Sequence, residues 1–321
     1  MPSSRCKVYT FALVTAFGAG VNAGEAPPPH YIAGAVTGAR APDGASVIFE
    51  AENGLVVVDT GRHPDHQQKI LDFARMRAKP VVAIVNTHWH LDHTGGNAEL
   101  RAAFPDLRIY GTNAVDDALE GFLANGRAYN AAALEDPKTP EHHKADLRLD
   151  LDAVDKPQAL RPDVVVNRKM SLPVKGRDLE LNVADRATTA ADIWVWDPAT
   201  HTAVVGDLVT LPAPFFDTAC ADGWSQSLRE IAAKPIEHVI PGHGAPMDAN
   251  AFAIYVEAFE RLVGCANDPA IADCPERWAR EAGSLMSDAE RAAATPYAQY
   301  YVDQVLRAPN AAQAFCSRTS G

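Results

Sequence analysis

Positive charge is scarce in this 321-residue sequence: 29 lysines and arginines face 41 aspartates and glutamates, for a net charge of −12. That excludes nucleic acid as a partner, because basic patches drive binding to a polyanion. With 47% hydrophobic and 22% charged residues, the composition also excludes disorder and a multi-span membrane protein. No repeat of solenoid period is visible. Cysteine is sparse, with five in all, and no CxxC pair is present, so a cysteine zinc cluster lacks its usual ligand spacing. What remains is an acidic globular chain, long enough for one large domain or two small ones.

The N-terminus carries a different pattern. Arg5 and Lys7 precede a small-residue apolar run from Val8 to Val21, and Val21-Asn22-Ala23 places small residues at a cleavage site. This is the order of a secretory signal peptide, predicting cleavage after Ala23 and a periplasmic or secreted protein. The alternative is an N-terminal core helix. The run is too short for a membrane span, so no stable membrane anchor is expected after cleavage. Cys6 precedes the run, where a lipid-modified cysteine does not sit. The mature chain then keeps Cys220, Cys265, Cys274 and Cys316. An even count in an exported chain suggests two disulfides with three possible pairings. Cys265 and Cys274 bracket a short loop and are the favoured pair, leaving Cys220 with Cys316.

Residues 24–45, opening on Pro27-Pro28-Pro29, read as a linker. Strand-like runs follow at Ser46 to Phe49, Leu55 to Val58 and Val81 to Val85, with Asn53-Gly54 as a hairpin turn between the first two. Helical spacing over Pro64 to Met76 separates the second and third runs. Residues from about 115 to 159 read as a helical, solvated insertion. Strands resume at Leu179 to Val183, Ile193 to Trp196, Ala203 to Val205 and His238 to Ile240. A main domain thus spans 46–249, followed by a helical extension over 250–321 with Phe252, Tyr255, Val256, Phe259 and Leu262 as its core stripe. Mixed strands and helices in this order predict an α/β sheet covered by helices.

One segment concentrates the chemistry: Asn86-Thr87-His88-Trp89-His90-Leu91-Asp92-His93-Thr94-Gly95-Gly96-Asn97. In extended backbone, residues two apart share a side, so His88 and His90 face one pocket. Asp92 and His93 fall where the chain turns. Imidazole and carboxylate are the ligands of zinc in hydrolytic sites. The other histidines, His63, His66, His142 and His143, read as surface residues.

This HxHxDH segment followed by Gly-Gly-Asn resembles the signature of the metallo-β-lactamase superfamily. Three further segments resemble that family's motifs in order: Val58-Asp59-Thr60-Gly61, Gly206-Asp207 and Pro241-Gly242-His243-Gly244. The resemblance implies a four-layer αββα sandwich, with the helical insertion and helical C-terminal extension added to it. It implies zinc ligands at His88, His90, Asp92, His93, Asp207 and His243, with Asp59 supporting the histidine loop from behind. One element departs from the family. The histidine usually found about fifteen residues before the bridging aspartate is replaced, because Thr188 stands where it belongs.

The departure predicts one tightly held zinc at Asp92, His93 and His243, completed by Asp207, with a second zinc possible. Asp185 is a candidate substitute ligand for that second ion. The implied activity is hydrolysis of a small ester, thioester, lactone or lactam by metal-activated hydroxide. Asp92 would orient the nucleophile, and His88 or His90 would be free to act as general base or oxyanion donor. A non-catalytic metal- or ligand-binding protein of the same fold is the alternative. Trp89, Trp194, Trp196 and Phe215-Phe216 are candidates for an apolar pocket, although Trp194 and Trp196 fit core positions of a strand.

Overall fold

A computed structural model describes residues 26–35 and 41–308. Two six-stranded mixed sheets form its centre. The first contains β1 (His30–Ile32), β2 (Ser46–Ala51), β3 (Gly54–Val58), β4 (Val81–Val85), β5 (Arg108–Gly111) and β6 (Val164–Val165), in that spatial order. The second contains β7 (Met170–Ser171), β8 (Glu180–Asp185), β9 (Ala191–Asp197), β10 (Thr202–Thr210), β11 (His238–His243) and β12 (Met247–Asp248), also neighbours in sequence order. Strands β3 to β6 run parallel, as do β10 and β11. The other pairings are antiparallel.

Side-chain alternation along the strands explains why the sheets stack. Val47, Phe49, Val56, Val58 and Val85 point from the first sheet onto Leu181, Ile193, Val195, Val204 and Ile240 of the second. The residues between them point outward. Ile48, Leu55, Val57 and Ile84 meet Ile70, Phe73 and Ala74 of α1 (Pro64–Arg77) and Leu100 of α3 (Asn97–Ala103), beyond the short helix α2 (Leu91–Thr94). On the far side Trp194, Trp196, Ala203 and Val205 pack under α8 (Ala221–Ala232) and α9 (Ala249–Ala266). The layers are therefore helix, sheet, sheet, helix, as the resemblance implied. Trp194 and Trp196 are core residues.

Between β5 and β6 the chain adds α4 (Ala114–Glu120), α5 (Phe122–Glu135), α6 (Glu141–Val154) and α7 (Pro157–Leu160). After α9 come α10 (Cys274–Glu281), opened by a disulfide from Cys265 to Cys274, and α11 (Asp288–Tyr301). Phe252, Tyr255, Phe259 and Leu262 of α9 are buried in the same cluster as Trp278 of α10 and Tyr301 of α11. No helix among the described residues is long and apolar enough to cross a membrane.

Three sequence expectations need correction. The 24–45 segment is more than a linker, because His30–Ile32 adds an edge strand to β2. The hairpin turns at Glu52-Asn53, and Gly54 already pairs with Ala51 as the first residue of β3. The insertion is helical, but its inner face is buried: Leu123, Asp146, Leu147 and Asp150 lie against the body of the protein. The signal segment and Cys316 lie outside the described residues. Cys220 is disulfide-bonded.

Trp224 connects α8 to the sheet and to α9. Fully buried, it donates from Nε1 to the Leu208 carbonyl at 2.9 Å and lies 4.9 Å from the Phe259 ring and 5.3 Å from that of Phe216. Replacing it with alanine leaves a cavity and an unpaired carbonyl. We expect Trp224→Ala to lose about 3–5 kcal/mol in urea unfolding. A loss below about 1 kcal/mol would show that this helix layer repacks freely.

Candidate metal centre

Parallel strands deliver the candidate residues to one edge of the sandwich. Asp59 follows the end of β3, and the His88–His93 loop follows β4, its parallel neighbour. Asp207 lies within β10, and His243 ends the parallel β11. The carboxyl ends of β3, β4 and β11 thus meet the interior of β10 across the two sheets.

Asp59 organises the loop. Its backbone is left-handed (φ 56°), a conformation costly for a residue with a side chain. The buried carboxylate accepts from the Thr87 amide at 2.8 Å, the Thr87 hydroxyl at 2.7 Å and His93 Nδ1 at 2.8 Å. These bonds fix where the protons sit. His93 donates from Nδ1, so Nε2 is the nitrogen it can offer to a metal. The Thr87 hydroxyl has given its proton to Asp59, so at 3.0 Å it accepts from His88 Nδ1. His88 therefore also turns a bare Nε2 inward.

Two donor groups result: His88, His90 and Asp207 form one, and Asp92, His93 and His243 the other. Asp207 lies between them. Its Oδ1 is 3.1 Å from His93 Nε2 and 3.6 Å from His243 Nε2, and its Oδ2 is 3.7 Å from His88 Nε2. Asp92 Oδ2 lies 3.1 Å from His243 Nε2. Buried polar atoms are ordinarily hydrogen-bonded. Yet His88 Nε2, His93 Nε2 and Asp207 Oδ1 are buried without a hydrogen-bonding partner. Unpaired lone pairs on imidazole and carboxylate, aimed at one another, fit a zinc centre.

The electrostatics are those of a centre without its cation: the carboxylates draw onto His93 a proton that a metal at Nε2 would displace. Burial lowers the basicity of His93, but the carboxylates of Asp207, Asp92 and Asp59 outweigh it and hold the imidazole well above its ordinary pKa. Burial likewise opposes ionisation of Asp92 and Asp207, and the neighbouring imidazoles, led by His93, overcome it and keep both acids well below the usual carboxylate range. His88 and His90 go the other way: burial depresses both, His90 to about 4, so each is neutral and able to ligate.

Two glycines permit this close packing. A Cβ on Gly242 would sit 2.1 Å from Asp207 Oδ1, and one on Gly44 would sit 2.2 Å from the His93 ring. Asp207 and His93 reach the centre only because neither position carries a side chain.

Thr188 is buried, and its hydroxyl donates to Asp192, away from the centre. Asp185 does not replace the missing histidine: its side chain is exposed and pairs with Arg186 at 3.5 Å. His63 and His66 were expected at the surface, but both are buried. His63 bridges Asp43 (2.7 Å) and Asp146 (3.3 Å), while His66 contacts the Ser46 hydroxyl at 2.7 Å. Arg62 donates to Asp150 of α6 at 3.0 Å, tying the inserted helices to the loop after β3. Sequence reasoning missed Asp43, Gly44, Arg62, Thr87 and Thr218. Of these, Arg62 directly follows the Asp59 motif and Thr87 directly precedes His88; the other three carried no local signal.

Above the centre lies a cavity of about 490 Å³ with Asp92, Asp207 and His243 in its lining. Its walls are largely apolar and aromatic. Trp89, Phe122 and Leu123 come from the loop and the insertion, and Leu211, Phe215 and Tyr301 come from the second half of the chain.

A family model for the metallo-beta-lactamase superfamily matches residues 40–243. A linear primary-alkylsulfatase from Pseudomonas sp. (strain ATCC 19151) is 40% identical over 68 residues, 20% of this chain and 13% of that protein. A cytoplasmic hydroxyacylglutathione hydrolase from Arabidopsis thaliana is 29% identical over 106 residues, 30% of this chain and 39% of that protein. The chain thus spans well under two thirds of the length of either relative. Among solved structures, a metallo-beta-lactamase from Pontibacter korlensis superposes with a TM-score of 0.51 at 18% identity, covering 72% of this chain and 94% of that one. That likeness supports the fold.

Asp192, held behind the centre, gives a pH-dependent test. Burial pushes its carboxyl up to about 6, although bonds from Thr188 and Thr189 partly oppose the shift. A carboxyl with a raised folded-state pKa contributes stability at low pH that is lost as pH rises towards 6. Relative to Asp192→Asn, the metal-free wild type should lose roughly 2–3 kcal/mol between pH 4 and pH 7 in urea unfolding. A constant difference across that range would mean that Asp192 ionises without penalty.

Proposed function

The chain belongs to the metallo-β-lactamase superfamily, and from that premise we propose that it is an exported zinc-dependent hydrolase of a small, largely apolar ester-, thioester-, lactone- or lactam-type substrate. One observation carries this reading: buried, unpartnered ligand atoms of His88, His93 and Asp207 converge where Asp207, with Asp92 and His243, lines an apolar cavity. Asp92, His93 and His243, with Asp207 beside them, would hold zinc tightly, and His88, His90 and Asp207 would hold a second ion more weakly. A hydroxyacylglutathione hydrolase among the relatives supports a hydrolytic, acyl-directed chemistry. The Cys265–Cys274 disulfide supports an oxidising compartment, in keeping with the signal-like N-terminus.

When bound, zinc supplies Lewis acidity and a hydroxide nucleophile at neutral pH. The protein's own residues set the geometry around that chemistry. Ionised Asp92 lies in the cavity lining, where its carboxylate would accept a hydrogen bond from the attacking water and orient it. Asp207 keeps a negative charge between the two imidazole groups. With no second ion bound, His88 or His90, each held at one nitrogen by a threonine hydroxyl, would keep its other nitrogen free to accept a proton as general base. Trp89, Phe122, Phe215 and Tyr301 would bind the apolar part of the substrate and exclude water from the reacting centre.

A series of p-nitrophenyl esters with lengthening acyl chains tests the cavity. Each buried methylene is worth about 0.8 kcal/mol, so kcat/KM should rise by up to about fourfold per carbon until the cavity is full. The rise should be shallower in Phe122→Ala. A flat or falling series would overturn the apolar-substrate reading. Zinc uptake with no turnover of esters, thioesters, lactones or lactams would favour the non-catalytic alternative.

A further inference from the structure

We infer that Thr218, anchored on the backbone of Thr188, is a positioning residue: it fixes the tautomer of His90 so that only Nδ1 is offered to the metal. Thr218 lies in the loop between β10 and α8 and is fully buried. Its hydroxyl is 2.8 Å from the backbone carbonyl of Thr188 and 3.1 Å from His90 Nε2. A carbonyl can only accept, so the single hydroxyl proton is spent on Thr188. The oxygen that remains can only accept, and the donor facing it is His90 Nε2–H. A neutral imidazole carrying its proton on Nε2 has its lone pair on Nδ1.

The surroundings hold this arrangement in place. The Cys220 amide donates to the Ala187 carbonyl at 2.8 Å, pinning the loop beside Thr188. The hydroxyl of Thr188 is turned to Asp192 and does not compete for His90. The His90 ring is further confined by edge contacts with Trp89 at 4.5 Å and Phe215 at 5.2 Å. His88 is treated in the same way by Thr87, whose proton is spent on Asp59. The backbone of Thr188 thus acts through Thr218 on His90. A hydrogen bond to the distal nitrogen of a ligating histidine orients the ring, and its loss typically costs 10–100-fold in metal affinity.

This inference rests on the zinc-centre reading, and the test separates the two. In metal-free full-length protein at neutral pH, long-range proton–nitrogen NMR, with His90→Gln used for assignment, should show His90 protonated on Nε2. Thr218→Val, which keeps the shape but cannot accept, should lose the single tautomer and bind the more weakly held zinc 10–100-fold less tightly in chelator competition. Thr218→Ser should restore both. An Nδ1–H tautomer in the wild type overturns the inference, as does a Thr218→Val protein with unchanged tautomer and affinity. If Thr218→Val fails to fold, the wild-type tautomer and the serine variant still decide it. A wild-type protein that binds no zinc would instead sink the zinc-centre reading.

Discussion

The buried carboxylate of Asp59 is the contact on which the rest of the centre depends. It sits at a left-handed backbone position where β3 ends, and its hydrogen-bonding capacity is spent on the Thr87 amide, the Thr87 hydroxyl and His93 Nδ1. Those three bonds tie the ends of two parallel strands together and set the tautomers of two imidazoles. A charge this deep would be costly alone; three donors make it tolerable. Without it, neither His88 nor His93 has a reason to aim a bare nitrogen inward.

The second sheet completes the arrangement from the opposite side. Strands β10 and β11 run parallel and bring Asp207 and His243 to the edge that β3 and β4 already define. Glycines at positions 44 and 242 let the two halves approach within a distance that any side chain would block. The inserted helices and the C-terminal extension then roof the centre with apolar walls, held partly by Arg62 reaching Asp150. Ligand chemistry comes from the sandwich, and cavity shape comes from the additions to it.

Much of this could be read from the sequence, and what could not has a common cause. Local spacing placed His88, His90, Asp92 and His93 on one loop, and strand alternation put Trp194 and Trp196 in the core. The burial of His63 and His66 was not legible, because it depends on Asp43, Ser46 and Asp146, none of them in helical register with the histidines. Thr218 was invisible for the same reason: its partner His90 is 128 residues away. The apolar wall formed by α5 escaped notice because Leu123 is the only buried residue of a helix that otherwise reads as solvated. Periodicity reports how an element meets its immediate neighbours, whereas contacts between distant loops leave no period behind.

The central claim is that these buried, unpaired ligand atoms exist to hold zinc. The most direct test is the zinc content of the purified full-length chain by elemental mass spectrometry, before and after dialysis against excess zinc, with His243→Ala alongside. We expect about one zinc per chain that survives purification, a second taken up on dialysis, and loss of the first in His243→Ala. A wild-type chain that neither retains nor takes up zinc, or zinc content indifferent to His243, would contradict it.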